Sequence, residues 1–314
     1  MSDPSPRGPQ AVLVVGSANT DLVIRTERLP APGETVTAGT FSQHQGGKGA
    51  NQAVASARLG ARVNFVGAVG DDEFGRAALE DFQDEGVDIS GVRVLSGVAT
   101  GVALIVVDAS GENQIAVASG ANALVDGALV EEALSGDPAQ PEGGGVYLAN
   151  FEIADEAVLA GARFAANAGM RIVINPAPAR ELSAALLALR PILVPNEGEA
   201  QALTGELEPL NACRVLAARS GAPVVVTLGS QGAIVVNQGE AETVPAPLVE
   251  AVDTTGAGDT FAGALAAELA AGSSLVHAVR FAVHAASISV TVAGARGGMP
   301  SRAEVEASLG ARSR

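Results

Sequence analysis

The chain has 314 residues, enough for one large α/β domain or for such a domain with a smaller appendage. Its net charge of −16 and its aromatic content of 3% disfavour nucleic acids and anionic membranes as partners, because both attract basic surfaces and single strands also need stacking platforms. One cysteine excludes an intrachain disulfide, and without a secretory signal or a long apolar segment we expect a cytoplasmic protein.

Short apolar runs that alternate with helical patterns predict an α/β fold with a mainly parallel sheet flanked by helices. The first run, 11–16, is continuous and ends in glycine, which is typical of a strand buried on both faces. Further parallel strands are predicted at 63–69, 146–150, 171–175, 192–195 and 224–228, with an antiparallel pair at 233–236 and 242–245. Helices are predicted at 50–59, 71–84, 155–168, 211–220, 259–271 and 275–292, with a short one ending at 204.

Two stretches have sequence patterns typical of β-hairpins rather than of βα units. Residues 22–24 and 35–37 resemble strands joined by a turn rich in proline and glycine, and residues 101–110 and 113–118 form a second pair. Four strands are about the number that holds a small separate sheet together, so we expect a four-stranded β lid over the main sheet. The predicted division is 11–20, 41–95 and 120–310 for the α/β domain, 21–40 and 96–119 for the lid, and 1–10 for a flexible N-terminus.

Polar residues follow the first predicted strand, at the end where ligands bind in open α/β sheets. Asn19 and Asp21 are candidates for contacts with sugar hydroxyl groups, although the same pattern is typical of an Asx-turn. The glycine-rich stretch 45–52 then opens a helix and contains Lys48, which indicates a polyol or phosphate site, or simply a loop with a solvated lysine. It is not a Walker A loop, because the glycine spacing differs and no Ser or Thr follows the lysine.

The stretch 253–261 links an apolar, strand-like run at 245–252 to a helix of small residues. Gly256, Ala257 and Gly258 leave backbone N–H groups accessible at a helix start, where unpaired donors and the helix dipole favour an anion such as phosphate. Asp259 would repel that anion, so it indicates a base that takes a proton from an attacking hydroxyl. The alternative is an ordinary turn in which Asp259 caps the helix.

Five motifs that occur in this order resemble the PfkB family of sugar kinases, over nearly the whole chain from 12 to 300. They are GKGANQ at 47–52, NPAPAR at 175–180, PNEGE at 195–199, TLGSQG at 227–232 and DTTGAGD at 253–259. The last motif marks the superfamily, and its combination with Asn19 and Asp21 resembles the ribokinase branch.

The resemblance implies transfer of a phosphoryl group from MgATP to O5 of D-ribose. Asp259 would be the base, and the backbone from Gly256 to Gly258 would stabilise charge on the transferred group. The residues that would hold the sugar hydroxyls are Asn19, Asp21, Gly47, Lys48, Asn51, Glu152 and Asp259 itself.

The resemblance also implies a nucleotide groove and two metal sites. Val283 would lie near the adenine, and Glu199 would hold Mg²⁺ through water, since Mg²⁺ keeps much of its hydration shell. The groove would be lined by Asn196, Thr227, Gly229, Ser230, Gly232 and Gly258. A K⁺ site would use Asp253, Thr255, Ser289, Val292 and Gly294, with Gly298 standing where many relatives carry a serine.

In this family the lid also forms the contact of a homodimer. The nearest alternative function keeps the fold and chemistry but uses fructose, 2-keto-3-deoxygluconate, deoxyribose or a nucleoside as the acceptor. A sugar sensor without activity is a second alternative, although a pure binder needs no base at Asp259. A dinucleotide oxidoreductase is disfavoured because no G-x-G-x-x-G follows the first strand.

Overall fold

The computed structural model describes residues 11–135 and 144–310, and it is built around a nine-stranded sheet. With strands numbered along the chain, this main sheet contains β1 (Ala11–Val15), β4 (Arg62–Gly70), β5 (Asp88–Leu95), β8 (Val146–Asn150), β9 (Arg171–Asn175), β10 (Ile192–Leu193), β11 (Val224–Thr227), β12 (Ala233–Asn237) and β13 (Glu240–Val244). The order is β13-β12-β11-β10-β9-β8-β1-β4-β5, and only the pairs β11–β12 and β12–β13 are antiparallel. The predicted α/β class is confirmed, and the apolar runs of β1 and β8 are buried throughout, as expected for central parallel strands.

Helices cover both faces of the main sheet. They are α1 (Lys48–Arg58), α2 (Glu73–Asp84), α3 (Gly127–Ser135), α4 (Asp155–Asn167), α5 (Ala184–Leu187), α6 (Glu197–Thr204), α7 (Pro209–Ser220), α8 (Ala257–Ala270), α9 (Leu275–Ser289) and α10 (Arg302–Gly310). One core cluster joins the sheet to α1, α8 and α9, and the other joins it to α4 and α7. Among the described residues, no helix combines the length and the apolar character that crossing a bilayer requires.

The close packing of α1 against α8 matters for function. A side chain at Gly263 would collide with the Cβ of Ala55, so glycine allows the two helix backbones to approach. Ser56 on α1 also donates from Oγ to the Gly263 carbonyl at 3.1 Å. The contact brings the first turns of the two helices together at one edge of the main sheet.

Four further strands form a separate sheet, the lid: β2 (Asn19–Arg25), β3 (Thr40–Gly46), β6 (Gly101–Val107) and β7 (Asn113–Ala118), in the order β3-β2-β6-β7. Because side chains alternate along a strand, Asn19 and Asp21 share one face of this sheet. The opposite face, the outer lid face, carries Ile24, Phe41 and Leu104, which are 44%, 64% and 55% exposed. One face of the lid therefore carries candidate site residues, and the opposite face is apolar and exposed to solvent.

The first lid hairpin differs from its prediction. Residues 35–37 form no strand, and the second strand is β3, so the lid sheet continues to Gly46, past the predicted boundary at 40. This register pairs all seven residues of β2 with β3, whereas 26–39 forms a loop held by an Arg28–Glu34 ion pair. A full antiparallel ladder satisfies more backbone groups than a shorter hairpin would.

Two other differences concern the main domain. The strand-like run at 245–252 is not a strand; Pro245 and Pro247 lack ladder donors, and Leu248 is 96% exposed. The structure adds β5, α3, α5 and α10, which were not predicted. The N-terminal segment predicted to be flexible, 1–10, lies outside the described residues.

Candidate active site

The candidate site lies at the edge of the main sheet where β1, β8 and β9 end and where α1 and α8 begin. The chain passes from β1 into β2 within a few residues, so the lid starts directly at this edge. The contact between α1 and α8 places Asn51 opposite Asp259, although 208 residues separate them in sequence. Residues from distant motifs thus form one compact polar cluster.

Asp259 lies in the first turn of α8 and is only 7% exposed. Asn51 Nδ2 donates to its Oδ2 at 3.1 Å, and Gln52 Nε2 donates to its Oδ1 at 3.1 Å. The residue at the N-cap position is Gly256, and no side chain caps the helix. The cap interpretation of Asp259 is therefore wrong: its carboxylate is held by another helix, at the bottom of the site.

Gln52 and Asn175 extend this cluster and were missing from the predicted site residues. Gln52 Nε2 also donates to Asn175 Oδ1 at 3.0 Å, and Asn175 Nδ2 donates to the Val194 carbonyl at 2.8 Å. Both residues lie within the five motifs, Gln52 at the start of α1 and Asn175 at the end of β9. Their place in those motifs could have identified them as site residues. Together they anchor one oxygen of Asp259 to the centre of the sheet.

Free backbone donors lie beside the Asp259 carboxylate. The N–H groups of Gly256, Gly258 and Asp259 donate to no acceptor within the described part of the chain. Gly256 adopts a left-handed conformation with φ 76°, and a side chain there would contact Ala295 too closely. Above Gly258 the space is open. This arrangement provides donors and room for an anion next to a carboxylate.

Lys48 and Glu152 meet at the sugar side of the predicted site. Glu152 Oε2 accepts from the backbone N–H of Lys48 at 2.9 Å and from Ser17 Oγ at 2.5 Å. Ser17 Oγ in turn accepts from the Gly49 N–H at 3.3 Å. Ser17 was not among the predicted site residues, although it directly follows the first strand and Gly16. The glutamate thereby fixes the start of α1 against the end of β1.

Asn19 is oriented by a residue that the motifs did not reveal, Asn122. Asn122 Nδ2 donates to Asn19 Oδ1 at 2.7 Å, and Asn122 Oδ1 accepts from the Ala18 N–H at 2.9 Å. Gly47 adopts φ 86°, and a side chain there would press on the Asn19 N–H. Asn19 and Gly47 are thus adjacent, as a shared ligand would require.

Asp21 is the lid carboxylate of the cluster, and it accepts no hydrogen bond from any described residue. Burial, together with the charge of Glu152, raises its pKa to about 6, against the opposing effect of Arg296. Burial also raises the pKa of Asp259, although Lys48, Asn51 and Gln52 act in the opposite direction. Both carboxylates therefore lack the solvation or the partners that would fully stabilise their charge, as is common at functional sites.

Lys48 supplies the positive charge of the cluster. Burial alone would lower the pKa of its ammonium group, but the carboxylates of Asp259, Glu152 and Glu199 together raise it. The lysine consequently remains charged at neutral pH beside the predicted phosphoryl acceptor. A solvated loop lysine, the alternative considered from the sequence, does not describe this environment.

An open, mostly apolar groove lies on the other side of α8. Its lining includes Thr227, Gly229, Ser230, Gly232 and Gly258, the predicted nucleotide contacts apart from Asn196. Val283 lines the groove as well. The next residue, His284, turns its Nδ1 towards Ser308 Oγ at 2.9 Å, so it does not replace Val283 in the groove.

Asn196 and Glu199 form a capping box at the start of α6. Asn196 Oδ1 accepts from the Glu199 N–H at 2.8 Å, and Glu199 Oε2 accepts from the Asn196 N–H at 2.8 Å. Burial raises the pKa of Glu199, and its charge also acts on Lys48 and Asp259, so it lies near the cluster. The remaining carboxylate oxygen fits a contact with the water shell of Mg²⁺ rather than a direct ligand cage, and the described residues hold no group of three or more metal-binding side chains.

The predicted cation residues lie in two adjacent segments joined by Asp253. Its Oδ1 accepts from the Thr255 N–H and its Oδ2 from the Gly294 N–H, both at 2.9 Å, and these bonds help to lower its pKa against the effect of burial. Four backbone carbonyls accept no hydrogen bond from described residues, as a cation site needs: those of Thr255, Ser289, Val292 and Gly294.

Gly298 contacts one of these carbonyls directly. A side chain at this position would overlap the Ser289 oxygen. The serine that the family resemblance implies at this position would therefore require this carbonyl to move. The present backbone fits a cation held by carbonyl oxygens and Asp253 without a side-chain oxygen from Gly298.

Comparisons with known proteins show what the whole chain is similar to. Residues 9–302 match the pfkB family of carbohydrate kinases. A ribokinase of Bacillus subtilis is 41% identical over 295 residues, covering 94% of this chain and 98% of the relative, and a ribokinase of Haemophilus influenzae is 39% identical over 300 residues, covering 94% and 97%. The solved structure of an Arabidopsis thaliana ribokinase complexed with ribose and ATP superposes with a TM-score of 0.84, at 34% identity, covering 96% of this chain and 99% of the other.

Proposed function

The chain belongs to the pfkB family of carbohydrate kinases, and from this membership we propose that it is a ribokinase, which transfers the γ-phosphoryl group of ATP to O5 of D-ribose. The observation that carries the proposal is the buried Asp259 carboxylate, held by Asn51 and Gln52 beside free N–H donors at the start of α8. The carboxylate can accept a proton, and the N–H groups can stabilise negative charge by donating hydrogen bonds. Phosphoryl transfer needs both at the same point.

In the proposed reaction Asp259 takes the proton of the O5 hydroxyl as that oxygen bonds to the γ-phosphorus. The bond from phosphorus to the bridging oxygen breaks, and ADP leaves. The N–H groups of Gly256, Ala257 and Gly258 lie where the charge of the transferred group develops, although the Ala257 N–H also contacts the Thr254 carbonyl at 3.2 Å. Lys48 adds a positive charge to the same region.

The sugar would lie between the lid and the main sheet. Asp21 has free acceptor capacity, and Asn19, Gly47, Lys48, Asn51 and Glu152 surround the same space. A sugar hydroxyl would supply the donor that Asp21 lacks among the described residues. Such a pocket discriminates against sugars that lack the hydroxyl, because a buried carboxylate would then have no partner.

The nucleotide would occupy the groove lined by Thr227, Gly229, Ser230, Gly232 and Gly258, with Asn196 at the phosphate end. Glu199 would hold hydrated Mg²⁺, which when bound neutralises charge on the phosphates. Asp253 and the carbonyls of Thr255, Ser289, Val292 and Gly294 would hold K⁺, next to the backbone of Gly298.

The outer lid face supports a homodimer as part of this proposal. Ile24, Phe41 and Leu104 form an exposed apolar surface on a small sheet, and a second copy of the chain would bury it. We also place the enzyme in the cytoplasm, where ATP and K⁺ are abundant.

A screen of acceptors tests the proposal most directly. ADP release is coupled to a spectroscopic assay and measured with ribose, deoxyribose, fructose, 2-keto-3-deoxygluconate and a nucleoside, at saturating MgATP. We expect the highest kcat/KM for ribose. The Asp259→Asn variant is the blank for contaminating kinases. A higher kcat/KM for another acceptor would keep the family chemistry and replace ribose; sugar binding without ADP release would support a sensor.

A further inference from the structure

A buried arginine outside all five motifs contacts the residue that holds the proposed base. Arg296 follows α9 in the chain, and its side chain is 11% exposed. Its Nε donates to Asn51 Oδ1 at 2.9 Å. The same carboxamide donates from Nδ2 to Asp259 at 3.1 Å. Asn51 therefore lies between a guanidinium group and a carboxylate.

The two charged neighbours leave the Asn51 carboxamide only one favourable orientation. Rotation by half a turn would place its oxygen against the Asp259 carboxylate and its NH₂ group against the Arg296 N–H. Both contacts would then be repulsive. Because each neighbour is charged, each hydrogen bond is also stronger than one between neutral groups. The arginine thus adds a second constraint at the end of the amide that points away from the base.

Arg296 is itself held from several sides. Its guanidinium group pairs with Asp81 and lies 6.0 Å from the centre of the Phe82 ring. The Arg296 carbonyl accepts from Arg58 Nη1 at 2.6 Å, and Arg58 also pairs with Glu85. The arginine is therefore fixed on both its backbone and its side chain, which a residue that positions another one requires.

We propose that Arg296 is a positioning residue for phosphoryl transfer, which keeps the Asn51 carboxamide turned so that its NH₂ group holds the Asp259 carboxylate in place for the acceptor hydroxyl. The inference rests on the proposed function. It predicts that Arg296 acts on turnover through Asn51, whereas its charge also acts on the lid carboxylate of Asp21. A small displacement of a base or its acceptor lowers the rate strongly, because the reacting atoms must be close and aligned.

The test variant removes Arg296 without leaving a buried unpaired charge. In Arg296→Met/Asp81→Asn both members of the ion pair become neutral, so Asp81 does not destabilise the fold alone. Arg302→Met/Glu268→Gln is the matched control, because Arg302 also pairs with a carboxylate and lies over a phenylalanine ring, and neither residue forms a hydrogen bond with Asn51 or Arg296. Circular dichroism and thermal unfolding verify that both variants fold.

The expected result is a loss of at least about tenfold in kcat for the Arg296 pair and less than about twofold for the Arg302 pair. A double-mutant cycle then separates positioning from general stability. In an Asn51→Ala background, the Arg296 pair should lower kcat by less than about twofold, because its target is gone. An equal loss in both backgrounds, or no loss in either, would overturn the inference.

The outcome remains distinct from a failure of the proposed function. If the wild-type chain phosphorylates another acceptor and not ribose, the ribose proposal fails, and the same cycle is measured with that acceptor. If it releases no ADP with any acceptor, the side-chain NH₂ resonances of Asn51 in NMR spectra give the readout, and they should shift in the Arg296 pair and not in the Arg302 pair. Unchanged Asn51 resonances in the Arg296 pair would then overturn the inference.

Discussion

The two sheets hold their candidate site residues in different ways. At the edge of the main sheet, Asp259 is fixed by hydrogen bonds that join residues far apart in the chain, and its partners are buried. In the lid, Asp21 is positioned by the strand register, and its carboxylate accepts no hydrogen bond from the described residues. The first region is preorganised before any ligand arrives, and the second keeps an open acceptor.

The difference indicates a division of labour. A preorganised carboxylate with fixed donors suits chemistry, because its environment need not rearrange when charge develops. An unpaired carboxylate on a lid strand suits recognition, because a ligand hydroxyl supplies the missing partner. Substitutions in the main-sheet cluster should therefore reduce turnover, and substitutions in the lid should change affinity or assembly.

The largest effect is expected from Asp259→Asn, which retains the shape of the side chain and removes the proposed base. We expect kcat to fall by about 10²-fold or more, which is the usual contribution of general base catalysis. Ribose binding, measured by calorimetry, should remain within about threefold, and circular dichroism verifies the fold, because the new NH₂ group would face the NH₂ group of Asn51 or Gln52.

Glu156→Gln is the matched control for this experiment. Glu156 is an acid in the first turn of α4, as Asp259 is in α8, but it is exposed. Its replacement should leave turnover at the wild-type level. More than about a tenth of wild-type kcat in Asp259→Asn would exclude the base, since such catalysis contributes at least about 10²-fold.

Asp21→Asn tests the recognition side of the comparison. We expect KM for ribose to rise by about 10-fold or more, because a charge-assisted hydrogen bond contributes about 1.5–3 kcal/mol, with a much smaller change in kcat. Asp21→Asn should also raise the free energy of unfolding, unlike a substitution in the hydrophobic core. Urea unfolding and steady-state kinetics measure the two effects.

The stability gain has a defined pH dependence. Because the pKa of Asp21 is raised from 3.8 to about 6, ionising it in the folded state reduces stability at pH values above about 6. The variant should therefore be more stable than the wild type by up to about 3 kcal/mol at pH 8. The gain should shrink as the pH falls from about 6 to 3.8 and vanish below that. A constant difference across this range would contradict the electrostatic origin.

The central strands of the main sheet could be predicted from the sequence because they are continuous apolar runs with polar residues directly after them, whereas the edge strand β5, with the sequence DISGVRVL, was missed. Each candidate residue of the Asp259 cluster lies at such a position or at the start of a helix. The lid was harder. β3 has the sequence TFSQHQG and is mostly exposed, so it shows no alternation of apolar and polar residues that would distinguish it from 35–37.

The supporting contacts of the site could not be predicted for a different reason. Asn122 orients Asn19 across 103 positions, and Arg296 holds Asn51 across 245. A single Asn or Arg in a loop has no periodicity and no motif, so only the folded backbone shows which partner it reaches. Gln52 was easier to predict as a site residue, since it adjoins Asn51 on α1. Its hydrogen bond to Asp259, however, depends on how α1 and α8 pack.

The lid surface gives a third, smaller prediction. Phe41→Asp places a charge on the outer lid face, where a dimer contact would bury it, and we expect dissociation to monomers in light-scattering measurements. The thermal midpoint of the isolated monomer should change little, because Phe41 is exposed there. Val94→Asp, at a similarly exposed position of β5, should leave the oligomeric state unchanged. A wild-type chain that is already monomeric at micromolar concentration contradicts the dimer.

The smallest effect on activity is expected at the cation segment. Like the main-sheet cluster, it has a carboxylate held by hydrogen bonds, that of Asp253; like the lid, it has acceptors without donors, here backbone carbonyls. We expect K⁺ to raise kcat a few-fold over Na⁺ at matched ionic strength, and to raise the thermal midpoint, since a bound ion stabilises the folded state. Gly298→Ala should weaken both effects, because the added methyl group overlaps the Ser289 carbonyl and must displace it. Gly310→Ala, where a methyl group meets open space, should preserve them. Equal rates and midpoints in the two salts would show that these carbonyls hold no functional cation, and the segment would then be a structural turn closed by Asp253.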